Sequence, residues 1–173
     1  MNIPELYQYL RRARRDLWAV LESVPEEVLA RPLLNGERFH CLKDLILHIA
    51  EVEDGWLNLD IQRGSAVQEA FPLIQNAQNS FAFANVALAV LLTYWRSVEE
   101  RTLAYLATLN EQELKRVVAL HDAPTERYVL EGLLWHVFLH EVRHTAQLCV
   151  LLRMQEIRPP ALDLLFYLPT APE

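Results

Sequence analysis

The chain has 173 residues, of which 52% are hydrophobic and 23% charged, and its formal net charge is −7. This length fits the range of about 100–200 residues typical of one domain, so we expect a single domain over residues 1–173. The apolar content argues against a largely disordered chain, and the negative charge argues against binding to nucleic acid or to an anionic membrane surface.

The composition favours helices. Glycine is scarce, with 4 residues against 9 prolines, and the stretches between prolines are rich in Leu, Ala, Arg and Glu. No run of about 18 uncharged apolar residues occurs, and the first residues do not resemble a secretory leader. Cys41 and Cys149 lie in helical patterns without a repeated spacing, which is typical of a reducing compartment. We therefore expect a cytoplasmic protein that does not span a membrane.

The first half of the chain predicts two long helices. Apolar residues at three- and four-residue steps predict a helix from Ile3 to about Val24 and another from about Leu42 to Gln62. Between them, Pro25 to Leu29 predicts a short helical turn, followed by a loop that contains Asn35-Gly36. The segment from Ser65 to Ser80 predicts an irregular, long crossover to the next helix.

The second half predicts two more long helices, from about Asn85 to Leu109 and from about Glu126 to Glu156. Between them, Asn110 resembles an N-cap for a brief helical turn over Glu111–Lys115, and a loop follows through Pro124. An apolar tail, Leu162 to Leu168, is expected to dock on the helices. We therefore predict an all-α fold, a four-helix bundle with a long crossover between helices two and three; a globin-like arrangement is the alternative.

One basic cluster lies on the first helix and consists of Arg11, Arg12, Arg14 and Arg15. Because the overall charge is acidic and the helix is amphipathic, we interpret this cluster as a solvated helix face.

Three histidines on the fourth predicted helix, His136, His140 and His144, follow one another at four-residue steps. Side chains at i and i+4 are neighbours on a helix, so two of these imidazoles can bind one ion. All three together span about 12 Å of helix, which is too long for one coordination sphere. The best third ligand is His48, in the middle of the second helix. Such histidines are commonly hydrogen-bonded in a core or exposed to solvent without binding a metal. The spacing alone leaves the metal site and this alternative both open.

His140-Glu141 with His144 also fits the pattern His-Glu-x-x-His of zinc proteases, in which the glutamate acts as the general base. Neither the usual continuation with a third ligand nor an edge strand that would hold a peptide is predicted here. A protease is therefore a minor alternative, and Glu141 and His136 are weak catalytic candidates.

Three segments resemble the DinB-like (DinB/YfiT) superfamily of bacterial metal-binding four-helix bundles. They are Leu47–Trp56 (LHIAEVEDGW), Leu134–Leu148 (LWHVFLHEVRHTAQL) and Ile157–Leu165 (IRPPALDLL). The resemblance covers nearly the whole chain and implies that His48, His140 and His144 bind one divalent metal ion. Nickel or zinc is the most common metal in that family; iron and manganese are further possibilities. Relatives are usually homodimers, so the resemblance also implies a homodimer.

Characterised relatives include thiol-dependent transferases, so the resemblance implies a metal-dependent thiol S-transferase or a hydrolase-like enzyme. Its substrate would be a small molecule, with a low-molecular-weight thiol as a candidate partner. The alternative is a noncatalytic metal-binding stress-response protein, which a fourth protein ligand, Asp44, Glu51 or His136, would favour. Four aromatic residues occur at helical spacings: Trp56, Tyr94, Trp95 and Trp135. They are interpreted either as the wall of a substrate pocket or as part of the core.

Overall fold

The computed structural model describes residues 1–34, 40–77 and 85–170 and is mostly helical. The predicted Asn35-Gly36 loop and the last residues of the predicted crossover lie outside these ranges. The described α-helices are α1 (Ile3–Glu22), α2 (Glu26–Leu29), α3 (Leu42–Asp54), α4 (Pro72–Ala77), α5 (Leu88–Leu106), α6 (Glu111–Leu114) and α7 (Leu130–Met154). Helix α3 continues into a π-helical segment, Gly55–Ile61, and two 3₁₀ turns span Val67–Ala70 and Leu164–Tyr167.

Helix α1 confirms the first predicted helix to within two residues. The Asn2 side chain accepts a hydrogen bond from the Glu5 backbone N–H, and the Glu5 carboxylate accepts one from the Asn2 N–H. This reciprocal capping satisfies two backbone donors that a helix start would otherwise leave unpaired. Asn110 caps α6 in a similar way through the N–H of Glu113, as predicted.

The second predicted helix was expected to run unbroken to Gln62, and this was wrong. Regular α-helix ends at Asp54, and the chain then widens into the π-helical segment, where the Gln62 N–H bonds the Leu57 carbonyl five residues back. Gly55 begins this segment, and glycine has the weakest helix preference of any residue except proline. The predicted crossover is also less irregular than expected, because it contains a 3₁₀ turn and α4.

A short antiparallel hairpin before α7 was not predicted. Strands β1 (Val117–Ala119) and β2 (Arg127–Val129) pair in the register Val117 with Val129 and Val118 with Tyr128. The last long helix therefore starts at Leu130 and not at Glu126. Valine and tyrosine are strong strand formers, and a strand of only three residues is too short to show the alternating pattern that would have revealed it.

The four long helices pack on one another: α3 contacts α7 and α5, and α1 contacts the same two helices. The C-terminal segment docks on α1, as predicted. The Tyr9 hydroxyl donates to the Leu162 carbonyl at 2.5 Å, and the Tyr167 hydroxyl donates to Asp16 at 2.5 Å. In the described part of the chain, no helix is long and apolar enough to cross a membrane.

The interpretation of the arginine cluster as a solvated face was wrong for Arg14, which is only 2% exposed. Its guanidinium reaches the carboxylates of three other helices: Glu53 on α3, Glu99 on α5 and Glu141 on α7. It also lies over the ring of Trp95, with its Cζ atom 4.7 Å from the centroid. This buried charge is tolerated because it is paired and hydrogen-bonded. Through these contacts, Arg14 on α1 joins all four long helices at one point.

Candidate metal centre

Helices α3 and α7 bring together the three histidines singled out in the sequence. His48 lies in the middle of α3, and His140 and His144 lie one turn apart on α7. Because the two helices pack directly against each other, His48 faces the pair although it is 92 residues from His140. His144 is buried, and the other two imidazoles are partly buried.

The nitrogen atoms of this group are arranged closely enough for a shared ion. The Nε2 atoms of His48 and His140 are 3.2 Å apart, and one ring nitrogen from each of the three residues lies within 4.8 Å of the others. Two ligands at about 2.0–2.1 Å from a tetrahedral ion are about 3.4 Å apart. The His48–His140 separation fits this value, and three imidazoles are a donor set that divalent transition metals accept.

The local environment keeps the imidazoles of His140 and His144 uncharged. Burial, followed by charge repulsion from His144, His136 and Arg143, lowers the pKa of His140 to about 4. Burial also lowers the pKa of His144, although its hydrogen bond to Gln147 acts in the opposite direction. Only the neutral imidazole has a lone pair for a metal, so both residues are in the ligating form at neutral pH.

Gln147, which the sequence analysis missed, contacts His144 directly. The Nδ1 atom of His144 lies 2.6 Å from the Oε1 atom of Gln147. With the amide oxygen as acceptor, Nδ1 carries the proton and Nε2 keeps its lone pair, which is the arrangement found behind most metal-binding histidines. The signal was present in the sequence, since a residue three positions after His144 lies on the same helix face.

The structure keeps His136 apart from the three-histidine group. His136 is exposed, and its ring centroid lies 6.3 Å from that of His140 and 5.3 Å from that of Trp56. It therefore borders the group on the side of the π-helical segment.

Glu141 has a different environment from the glutamate of a zinc protease. It is 6% exposed, and both of its carboxylate oxygens accept from Arg14, at 3.0 Å and 2.6 Å. A general base needs a free oxygen within reach of the attacking water. This geometry favours a structural ion pair over a catalytic role for Glu141. The His-Glu-x-x-His motif of this chain therefore lacks the free glutamate that a zinc protease uses as its general base.

The candidate fourth ligands also have other partners. Asp44 accepts from the backbone N–H groups of His40 and Cys41 at the start of α3, and Glu51 accepts from the Gln68 side chain. Of the four aromatic residues, Tyr94 and Trp95 are fully buried and Trp135 packs against the core. Trp56 also packs against the core, and in addition it lines a cavity next to His136.

A second, mostly apolar cavity of about 570 Å³ adjoins the centre on the other side, where Leu45, Gln147 and Met154 form part of its wall. Leu45 precedes His48 by one helical turn, and Gln147 contacts His144. Cavities of about 300–1,000 Å³ accommodate small molecules.

The family model described as DinB family matches residues 1–173, the whole chain. No curated protein matches the sequence significantly.

Proposed function

Since the chain belongs to the DinB family, we propose that it binds one divalent metal ion through His48, His140 and His144 and uses it in an enzymatic reaction on a small molecule. The observation that carries this proposal is the convergence of one ring nitrogen from each histidine within 4.8 Å. The lowered pKa values of His140 and His144 add to it, because both imidazoles are ready to coordinate without losing a proton.

The reaction class that we propose is thiol S-transfer, with hydrolysis as the alternative. A divalent ion held by three imidazoles keeps an open position, where it supplies the Lewis acidity that lowers the pKa of a thiol or of water. The role of the protein would be to hold the ligands and to shape the surroundings. His144 is oriented by Gln147, and the mostly apolar cavity beside Leu45 and Gln147 offers room for the apolar part of a small molecule.

The metal that we propose is nickel or zinc, with iron or manganese as further possibilities. Three imidazole nitrogens suit nickel and zinc well, whereas manganese prefers oxygen ligands. A noncatalytic metal-binding protein would need a closed coordination sphere. Among the described residues, the group of ligand atoms within 4.8 Å of one another holds the three histidines and neither Asp44 nor Glu51, which supports an open one.

We also propose that α1, α3, α5 and α7 form a four-helix bundle in which the connection from residue 62 to residue 87 is the crossover. The pairwise contacts of these helices support this architecture. A cytoplasmic homodimer is proposed as well; exposed apolar side chains on α7, Leu139, Val142, Val150 and Met154, support an association through that helix.

The test is the metal content of the purified, untagged protein, measured by plasma mass spectrometry after preparation without chelators. We expect about one equivalent of metal in the wild type and its loss in the His48→Ala, His140→Ala and His144→Ala variants. His121→Ala is the matched control, because the His121 side chain is 68% exposed and pairs with Asp122. Metal near zero, even after incubation with nickel or zinc, would overturn the proposal.

A further inference from the structure

A cavity of about 540 Å³ opens between the π-helical segment, the β-hairpin and the start of α7. Its wall includes Trp56, Glu126, Tyr128, Gly132, Leu133 and His136. This volume falls within the range of about 300–1,000 Å³ that is typical of small-molecule sites. The cavity is therefore large enough to hold a ligand of modest size.

A glycine in the first turn of α7 lies at the wall of this cavity. Gly132 is the third residue of α7, and a Cβ atom built on it meets nothing within 4 Å. Neither a close contact nor a positive φ angle requires glycine here, so a larger side chain at this position has open space to extend into.

The lining of the cavity favours a positive charge. The lining includes two aromatic residues, Trp56 and Tyr128, a residue type whose ring attracts cations, and Glu126 supplies a carboxylate. One oxygen of Glu126 accepts from the Tyr128 hydroxyl at 2.8 Å, which holds the carboxylate beside the ring. Among the described residues that line the cavity, none is lysine or arginine.

We propose that this cavity binds an organic ammonium group carried on a small apolar or aromatic body. His136 lines the cavity, and its ring centroid is 6.3 Å from that of His140, so the cavity adjoins the three-histidine centre. Its use as a substrate subsite rests on the proposed metal site, whereas the binding itself does not.

The test is a titration of the ¹⁵N-labelled, metal-free protein with benzyltrimethylammonium, followed by NMR. A quaternary ammonium ion cannot coordinate a metal, so its binding reports on the cavity alone. We expect the indole N–H signal of Trp56 and the amide of Gly132 to shift on titration. Phenylacetate and benzyl alcohol, which share the ring but lack the positive charge, are expected to bind at least about 5-fold more weakly.

Two variants make the test specific. Gly132→Leu is expected to abolish these shifts by filling the cavity, whereas Gly132→Ala adds one methyl group in open space and keeps them. Glu126→Gln is expected to weaken the cation about 5-fold without changing benzyl alcohol binding. Thermal unfolding of each variant shows whether it is folded.

Equal binding of the three probes, or unchanged binding in folded Gly132→Leu, would overturn the proposal. His48→Ala separates this proposal from the proposed metal site, because the variant should lose metal but still bind benzyltrimethylammonium. If the cation binds and the metal does not, the cavity is a binding site without the catalytic role.

Discussion

Arg14 and Glu141 form a two-point ion pair in the interior, with Nε to Oε1 at 3.0 Å and Nη2 to Oε2 at 2.6 Å. The same guanidinium donates to Glu99 and Glu53 at 3.0 Å each, and the Tyr7 hydroxyl donates to the other oxygen of Glu53 at 2.5 Å. Glu141 follows His140 directly, and Glu53 lies five residues after His48. The ion cluster therefore fixes the two helices that carry the candidate ligands relative to each other.

Replacement of Arg14 should test this arrangement. Arg14→Met removes a cation that contacts all three carboxylates and leaves them buried with fewer partners. We expect the free energy of unfolding to fall by about 3–5 kcal/mol, measured by urea denaturation. Arg96→Met is the control, because Arg96 pairs with Glu22 on the surface, and it should cost no more than about 1 kcal/mol. Similar losses in both variants would contradict the central role of Arg14.

The sequence predicted the helices well because their apolar residues repeat with the period of a helix. It also predicted that His48, His140 and His144 would come together, since His140 and His144 share one helix face and His48 lies within an apolar helix. That they hold a metal stays a prediction. The hairpin was missed because three-residue strands carry too little pattern, and its residues Arg127 to Val129 were read as the start of a helix.

The buried ion pairs of Arg14 could not be predicted from the sequence, and the reason is physical. Its glutamate partners are 39, 85 and 127 residues away along the chain, so no local spacing connects them. A charged residue among other arginines is usually solvated. The ion cluster becomes visible only when four helices are packed together.

Asp54 is predicted to anchor the connection between α3 and α5. One carboxylate oxygen accepts from the Val67 N–H at 2.9 Å, and the other accepts from the Gln68 N–H at 2.9 Å and from the Tyr94 hydroxyl at 2.8 Å. Asp54→Asn replaces one accepting oxygen with an NH₂ group, which then faces one or more N–H or O–H donors. We expect a loss of about 3 kcal/mol in unfolding free energy and faster proteolysis near Val67.

Asp60→Asn is the control for this variant. Asp60 is only partly buried and accepts from the His121 backbone N–H, so the change should cost less than about 1 kcal/mol. If Asp54→Asn has the unfolding free energy and the proteolysis rate of the wild type, the connection between α3 and α5 is held by other contacts.

The stability of the metal-free protein should depend on pH through His140. Its pKa is lowered to about 4 by burial, then by His144, His136 and Arg143, whereas an unfolded histidine titrates near pH 6.5. Between these values the unfolded chain binds more protons, so stability is full above about pH 6.5 and falls as the pH decreases towards 4. Urea denaturation across this range should show a shallower fall in His140→Gln than in the wild type or in His121→Gln. Identical slopes in His140→Gln and the wild type would contradict the lowered pKa.

The hydrogen bond between His144 and Gln147 should control metal affinity without contributing a ligand. In Gln147→Ala, the Nδ1 atom of His144 loses its acceptor at 2.6 Å, and the ring is free to rotate or to change tautomer. We expect metal affinity to fall about 10–100-fold in competition with a chromophoric chelator. Gln147→Glu is the matched control, because a carboxylate accepts the same bond and makes the imidazole more basic; its affinity should equal or exceed that of the wild type. Wild-type affinity in Gln147→Ala would mean that packing between α3 and α7 alone orients His144.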